Sequence, residues 1–315
     1  MADKKTMHLK YAMKEERTGA GFDNLHLLSI EPCELNINEI DTSTKFLDKT
    51  VEFPNYINAI TGGGRFSKLV NNRLVSIASE FNIPIVTGSL NSYLKTKDFT
   101  SFKAFRKAEF AIANLSCRNS LEDMKIVCDK LNTPYISLHL NTAQELIGDY
   151  EYEFRGELKN IQNAINYFGD NLIIKAVGQG MSKETIKRLI DIGVKNIDIS
   201  GSSGTNFSNI SRRMNNNNYK LNYSPEVDTI SSIKNAIITK ASYIIASGGI
   251  DDIEKMAKAI ALGANITASA YYYLNLISMD EEQAYSKITI DRLNFKKLMM
   301  LTASPTIKQL QKKII

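Results

Sequence analysis

Cysteine is scarce in this chain, and the three present form no pattern. Cys33, Cys117 and Cys128 are an odd number without CxxC or Cys/His metal spacing, so neither a disulfide framework nor a zinc site underlies the fold, and free thiols fit a reducing cytosol. No apolar run approaches the roughly 18 residues of a membrane span. The charged start MADKKTMHLKYAMKEER lacks an apolar signal core, so the expectation is a cytoplasmic protein without a membrane partner. Charge of one sign is also missing: 39 Lys and Arg face 34 Asp and Glu, a net of +5. The basic residues are scattered, which excludes a nucleic-acid stripe and suits a small anionic ligand better. No separate dinucleotide fingerprint is visible.

What the chain has is a globular composition, 43% hydrophobic and 23% charged over 315 residues, and a regular alternation. Short apolar runs ending in small or polar residues recur at 56–60, 84–87, 109–115, 135–140, 171–177, 196–200, 243–246 and 265–269. Helix-like stretches lie between them at 68–80, 121–131, 157–167, 183–192 and 251–262; in the last, Ile253, Met256, Ala257, Ile260 and Ala261 share one face. Strands alternating with helices make parallel βαβ units, and eight continuous apolar strands fit a closed barrel better than an open sheet. A single (β/α)8 TIM barrel of roughly 250 residues fits the length. The expectation is an N-terminal extension over 1–55, folded over the C-terminal face as part of the active face, followed by the barrel over 56–315. The polar stretch from Gly201 to about Pro225, with its MNNNNYK run, reads as an irregular loop over the site.

In such barrels the reacting groups follow the strands, so the strand ends form one constellation. Here they are Thr61, Gly62 and Gly63; Gly88 and Ser89; Asn114; His139 and Asn141; Lys175; Ser200 and Gly201; Ser247, Gly248 and Gly249; and Ser269 and Ala270. Small residues dominate, as expected where a flat ligand lies against backbone. The segments IASGGI and TASAYYYL follow the seventh and eighth strands, the usual barrel phosphate site, so Gly248, Gly249, Ala270 and Tyr271 can offer amides to a cofactor phosphate. Lys175 ends the run NLIIK, where a bare ammonium is costly unless it faces an anion. LHLNTAQE sets His139, Asn141, Gln144 and Glu145 together, with Glu145 one hard oxygen ligand for Mg²⁺ whose shell substrate phosphates would complete.

At these residues the sequence resembles the type 2 isopentenyl-diphosphate isomerases nearly end to end. The likeness is carried by KKTMH, DTSTKFLDK, AITGGG, GSL, ANLS, LHLNTAQE, KAVGQGMS, SGSSGTNF, IASGGI and AKAIALGA, the spacing in LHLNTAQE being the most specific. The resemblance implies interconversion of isopentenyl and dimethylallyl diphosphate by a 1,3-proton shift on reduced FMN, with Mg²⁺ at the diphosphate and NADPH or another reductant preparing the flavin. It implies that Thr61, Gly62, Gly63, Ser89, Asn114, Lys175, Ser200 and Thr205 meet the flavin ring or ribityl chain, and that Gly248, Gly249, Ala270 and Tyr271 hold its phosphate. Lys4, Lys5, His8, His139 and Asn141 would bind the diphosphate, Gln144 would lie by the allylic carbons, and Glu145 would hold Mg²⁺. Gln144 and Lys175 are the catalytic candidates. A tetrameric or octameric homo-oligomer follows from the same likeness.

The chain departs from the family where an arginine becomes Lys4, a second becomes Asn91, a tryptophan and a glutamate become Phe207 and Ser211, and a further arginine becomes Asp251. Arg65, Arg212 and Arg213 are the candidates to compensate. Two other readings share the glycine pattern: a divergent FMN-binding barrel without isomerase activity, and an FMN-dependent α-hydroxy-acid oxidase or dehydrogenase. The latter wants a histidine base near the sixth and seventh strands, where none of His8, His26 and His139 stands.

Overall fold

The computed structural model describes residues 21–64, 66–147, 151–205, 207–214 and 226–315. A two-stranded hairpin, β1 (Thr44–Phe46) and β2 (Lys49–Val51), comes first. Eight parallel strands follow: β3 (Asn55–Ile57), β4 (Ile85–Val86), β5 (Ala111–Ser116), β6 (Ile136–His139), β7 (Leu172–Lys175), β8 (Asn196–Asp198), β9 (Tyr243–Ser247) and β10 (Ile266–Ser269). They close into a barrel in chain order, with β10 paired to β3 through Ala268 opposite Tyr56. Every strand falls where the apolar runs place it.

The strands carry apolar side chains on both faces because both are buried. Outward residues such as Ile57, Ile85, Ile136, Leu172 and Ile197 join Leu74, Met124, Ile161, Ile186, Ile233 and Met256 of the surrounding helices in the main core. Inward residues Tyr56, Val86, Ile112, Ile173, Ile245 and Ile266 make a second, smaller core inside the barrel. Full burial of each such side chain contributes about 1.5–3 kcal/mol.

The five expected helices appear as Ser67–Glu80, Leu121–Leu131, Glu157–Phe168, Lys183–Asp191 and Ile253–Leu262. Side-chain caps fix several starts: Ser120 with Asp123 in a reciprocal box, Ser182 on Thr185 N, and Asp252 on Lys255 N. Glu281–Leu301 adds a long outer helix after the barrel closes.

Two expectations need correction. Within the stretch read as an irregular loop, Phe207–Met214 is helical; its Phe207, Ile210 and Ser211 recur at helical spacing, a short period that the polar neighbours obscure. Of the described part of the N-terminal extension, the hairpin does not lie over the C-terminal face, whereas Gly21 comes up against Ile230, at the start of the helix Thr229–Ile238. The hairpin instead closes the opposite end, where Phe46 stacks on Tyr56 at 5.0 Å and packs beside Phe110 and Tyr243. Tyr135 donates to Asp48 Oδ1 at 2.6 Å, and Tyr243 donates to the Lys45 carbonyl. A barrel this narrow leaves an apolar opening at its N-terminal end, and one buried ring with a belt of tyrosine hydroxyls covers it. Residues 1–20, with Lys4, Lys5 and His8, lie outside the described residues, as do Arg65 and the Asn run.

Candidate active site

The inward pleat sets the floor of the site. Side chains two apart on a strand share a face, so above the apolar layer of Tyr56, Ile112, Ile173, Ile245 and Ile266 stand Asn58, Asn114, Lys175, Ser247 and Ala268, all lining a cavity of about 780 Å³ at the C-terminal end. That volume lies within the usual range for small-molecule sites, roughly 300–1,000 Å³.

Lys175 is only 6% exposed, and its Nζ donates to the Ala176 carbonyl at 3.3 Å. Burial holds its pKa below the ordinary lysine value, while the negative charge of Asp198 acts the other way. Strand register places Lys175 between His139 and Asp198. Asp198 is fully buried and accepts from Asn58 Nδ2 at 3.0 Å, Tyr56 OH at 3.2 Å, Ser200 N at 3.2 Å and the Ser247 hydroxyl. A buried carboxylate is tolerated only when so completely paired. Sequence reasoning missed Asp198, although one acid inside the apolar run NIDIS is itself a signal of that kind.

The rim is built from glycines that touch other loops. A Cβ on Gly248, at φ +99°, would stand 2.2 Å from the Gly201 carbonyl oxygen, and one on Gly249 would stand 2.6 Å from that of Ser203. The loops after β8 and β9 therefore pack backbone to backbone, and Gly204 closes against Gly248 and Gly249 from the other side. Gly88 is pressed against the Thr61 carbonyl in the same way. Gly62, Gly248, Gly249, Ala270 and Tyr271 all line the cavity. Gly63 does not: its amide donates to Ser101 Oγ at 2.9 Å, and a Cβ there would meet Ser92. Loop packing accounts for this glycine.

The wall after β5 and β6 is polar. His139 Nδ1 and Asn114 Oδ1 are 3.1 Å apart, Ser116 Oγ donates to Asn141 Oδ1 at 3.3 Å, and Asn141 Nδ2 donates to Glu145 Oε1 at 2.6 Å. The short helix Thr142–Ile147 carries Gln144 and Glu145 on the cavity side. Arg118, which sequence reasoning passed over, places its Nη2 3.1 Å from Glu145 Oε1 and its Nη1 3.6 Å from Glu151 Oε2.

The cavity thus gathers Thr61, Ser89, Asn114, His139, Asn141, Lys175 and Ser200 from the strand ends, with Gln144 and Glu145 of LHLNTAQE and Thr205 of the loop after β8. Thr61 and Ser200 each spend a hydroxyl contact on the scaffold, with Ser67 Oγ at 2.8 Å and Gly178 N at 3.1 Å. Of the departures, Asn91, Phe207 and Asp251 line the cavity, and Asp251 is bound by Lys255 at 2.6 Å. Ser211 is fully buried, its hydroxyl without a hydrogen-bond partner. His26 lies elsewhere, exchanging backbone hydrogen bonds with Ile315.

Residues 140–315 match the FMN-dependent dehydrogenase family. Among solved structures, the flavin-binding domain of baker's yeast flavocytochrome b2 superposes with a TM-score of 0.70 at 15% identity, covering 100% of this chain and 80% of that one. A chimera of (S)-mandelate dehydrogenase gives 0.66 at 12%, covering 100% and 92%; at such identities the likeness is one of fold. The isopentenyl-diphosphate delta-isomerase of Bacillus licheniformis is 32% identical over 99% of this chain and 92% of its own length, and that of Moorella thermoacetica 30% over 98% and 92%. With that identity sustained from end to end on a barrel of this architecture, the chain belongs to the type 2 isopentenyl-diphosphate delta-isomerase family.

Proposed function

We propose that the protein interconverts isopentenyl and dimethylallyl diphosphate, using reduced FMN and Mg²⁺, with NADPH as a source of reducing equivalents. The observation that carries this reading is the cavity itself, where the buried Lys175 of the floor adjoins the His139, Asn141, Gln144 and Glu145 wall. A flat, anionic cofactor fits the floor and rim: an ammonium at 6% exposure donates, among the described residues, to one carbonyl, and the glycine loops leave backbone rather than side chains at the edge. A divalent cation fits the wall, since Glu145 and Glu151 offer hard oxygens to which a guanidinium is already drawn.

Bound FMN in its reduced form supplies an electron-rich acid/base centre for a 1,3-proton shift without net redox change. The chain's own groups do the rest. Lys175 sets positive potential at the floor, favouring an anionic ring system. His139 and Asn141 offer donors to the diphosphate, Gln144 positions the allylic carbons, and Glu145 holds the cation that ties the diphosphate down. Water is displaced as the apolar chain enters, which strengthens each of these interactions. The hydroxy-acid oxidase reading lacks its base, because the chain's three histidines include none at the ends of β8 or β9.

The test is an isomerase assay on protein reconstituted with FMN, Mg²⁺ and a reductant. Glu145→Gln should retain FMN while its Mg²⁺ requirement rises and kcat/KM falls by about 10²-fold, some 3 kcal/mol. Gln144→Asn should lower turnover at unchanged Mg²⁺ dependence. Wild-type behaviour in both variants overturns the assignment, and an inactive but flavin-loaded wild type favours the divergent barrel.

A further inference from the structure

The geometry points to Arg118 as a diphosphate-binding residue that Glu145 and Glu151 hold ready and a divalent cation releases. This rests on the reading of the cavity as a diphosphate site. Arg118 begins the loop after β5, its amide 3.4 Å from Ser116 Oγ. Its guanidinium spans the two carboxylates, Nη2 to Glu145 and Nη1 to Glu151, and its centre lies 5.6 Å from the Phe154 ring. The side chain is 26% exposed and lines the cavity. Glu151 is held in turn, its Oε1 accepting from Tyr152 N at 2.9 Å and Glu153 N at 3.2 Å.

The charges decide what this arrangement does. The carboxylates of Glu145 and Glu151 outnumber the Arg118 guanidinium, and Glu157 also acts on it by its charge, so the wall alone repels a diphosphate. A divalent cation at the carboxylates offsets that excess, and the wall then admits the diphosphate. The same cation removes the reason for Arg118 to stay on Glu145. A freed guanidinium offers five donors in a planar fork matched to phosphate oxygens. Of the described Lys and Arg side chains, Lys95, Arg118 and Lys175 line the cavity. Lys175 belongs to the floor, and Lys95, one turn beyond Asn91 in the helix Asn91–Thr96, is an exposed point charge without a fork. Arg118 therefore supplies at this wall the fork that Asn91 lacks.

Metal and arginine thus compete for Glu145 yet cooperate on the diphosphate, a combination a scaffold residue does not produce. The measurements use FMN-loaded protein, with Mn²⁺ alone read by the EPR signal of the free ion, and inorganic pyrophosphate in Mg²⁺ read by calorimetry. Arg118→Gln should bind Mn²⁺ at least threefold more tightly and Mg²⁺-pyrophosphate at least tenfold more weakly. Arg118→Lys, which keeps the charge and loses the fork, should leave Mn²⁺ affinity within twofold and still weaken pyrophosphate at least threefold; it carries the test if the glutamine variant does not fold. Flavin absorbance and melting temperature report the fold. Pyrophosphate binding unchanged in either variant overturns the proposal, as does Mn²⁺ affinity that falls together with it. A wild-type protein that binds no pyrophosphate in Mg²⁺ overturns the diphosphate reading itself, and this proposal with it.

Discussion

Adding one methyl group at Gly248 should loosen both the barrel rim and the cofactor. In Gly248→Ala the new Cβ meets the Gly201 oxygen at 2.2 Å and the Gly201 nitrogen at 2.6 Å, both backbone atoms, at a residue whose φ is +99°. Left-handed backbone costs a non-glycine residue about 1–2 kcal/mol, and an overlap that displaces backbone costs about 1–3 kcal/mol more; together the loss is about 2–5 kcal/mol, with a midpoint of about 3.5 kcal/mol. Unfolding entropy near 2.1 cal/mol/K per residue, over 315 residues, gives about 0.66 kcal/mol/K, so the melting temperature should fall by about 5 °C. Gly156→Ala supplies the control, since Gly156 has φ +88° with nothing within 4 Å of a Cβ. There only the strain acts, and the fall should be about 2 °C. Because the Gly248 loop is packed on the Gly201–Gly204 loop, the displacement should also weaken FMN at least tenfold, about 1.4 kcal/mol, as read by recovery of free flavin fluorescence on dilution. Equal melting temperatures and equal flavin affinity in the two variants would refute the account of the rim as a loop-on-loop contact.

Three further outcomes are expected. Burial pushes the Cys117 and Cys128 thiols up to about 12 from their ordinary 9.0, with Glu157 adding to Cys117 and Asp129 to Cys128, while Cys33 is exposed. Ellman's reagent should therefore titrate one thiol quickly in the native protein and three after denaturation. The folded state keeps protons that the unfolded chain has shed above pH 9.0, so this contribution to stability is complete below pH 9 and lost as pH rises to about 12; three fast native thiols would contradict the burial. Lys175→Met should lower the flavin reduction potential by on the order of tens of millivolts, and an unchanged potential in spectroelectrochemistry would place the ammonium away from the ring. Phe46→Ala should cost about 3–5 kcal/mol of stability and leave FMN affinity as it was, since the ring closes the far end; flavin loss in proportion to the melting shift would argue against that separation.

The barrel was legible because each strand is an apolar run closed by small or polar residues, and that ending also marks the cavity. The residues of LHLNTAQE and the ends of NLIIK, IASGG and ITASA meet in one cavity as those positions predict. What stayed hidden depends on partners remote in sequence. Phe46 ends a three-residue strand, too short for a period, and only its packing on Phe110 and Tyr243 reveals a plug. Asp198 passed as one residue of a strand because its donors come from Tyr56, Asn58 and Ser247. The rim glycines were found at their positions, but part of the reason for them, contact between two loops, belongs to segments far apart in the chain, as Gly201 and Gly248 are.

The hairpin at the N-terminal end also bears on how the chain is made. Phe46 and Asp48 are synthesised early, yet the groups that receive them are Tyr56, Phe110, Tyr135 and Tyr243, so the last of these is added only as residue 243 of 315. Until then the nascent polypeptide carries an aromatic side chain with no finished seat. A chaperone that recognises exposed aromatics has its longest window on this stretch, and a ribosome stalled anywhere before β9 releases a product with its stopper made and its vessel open.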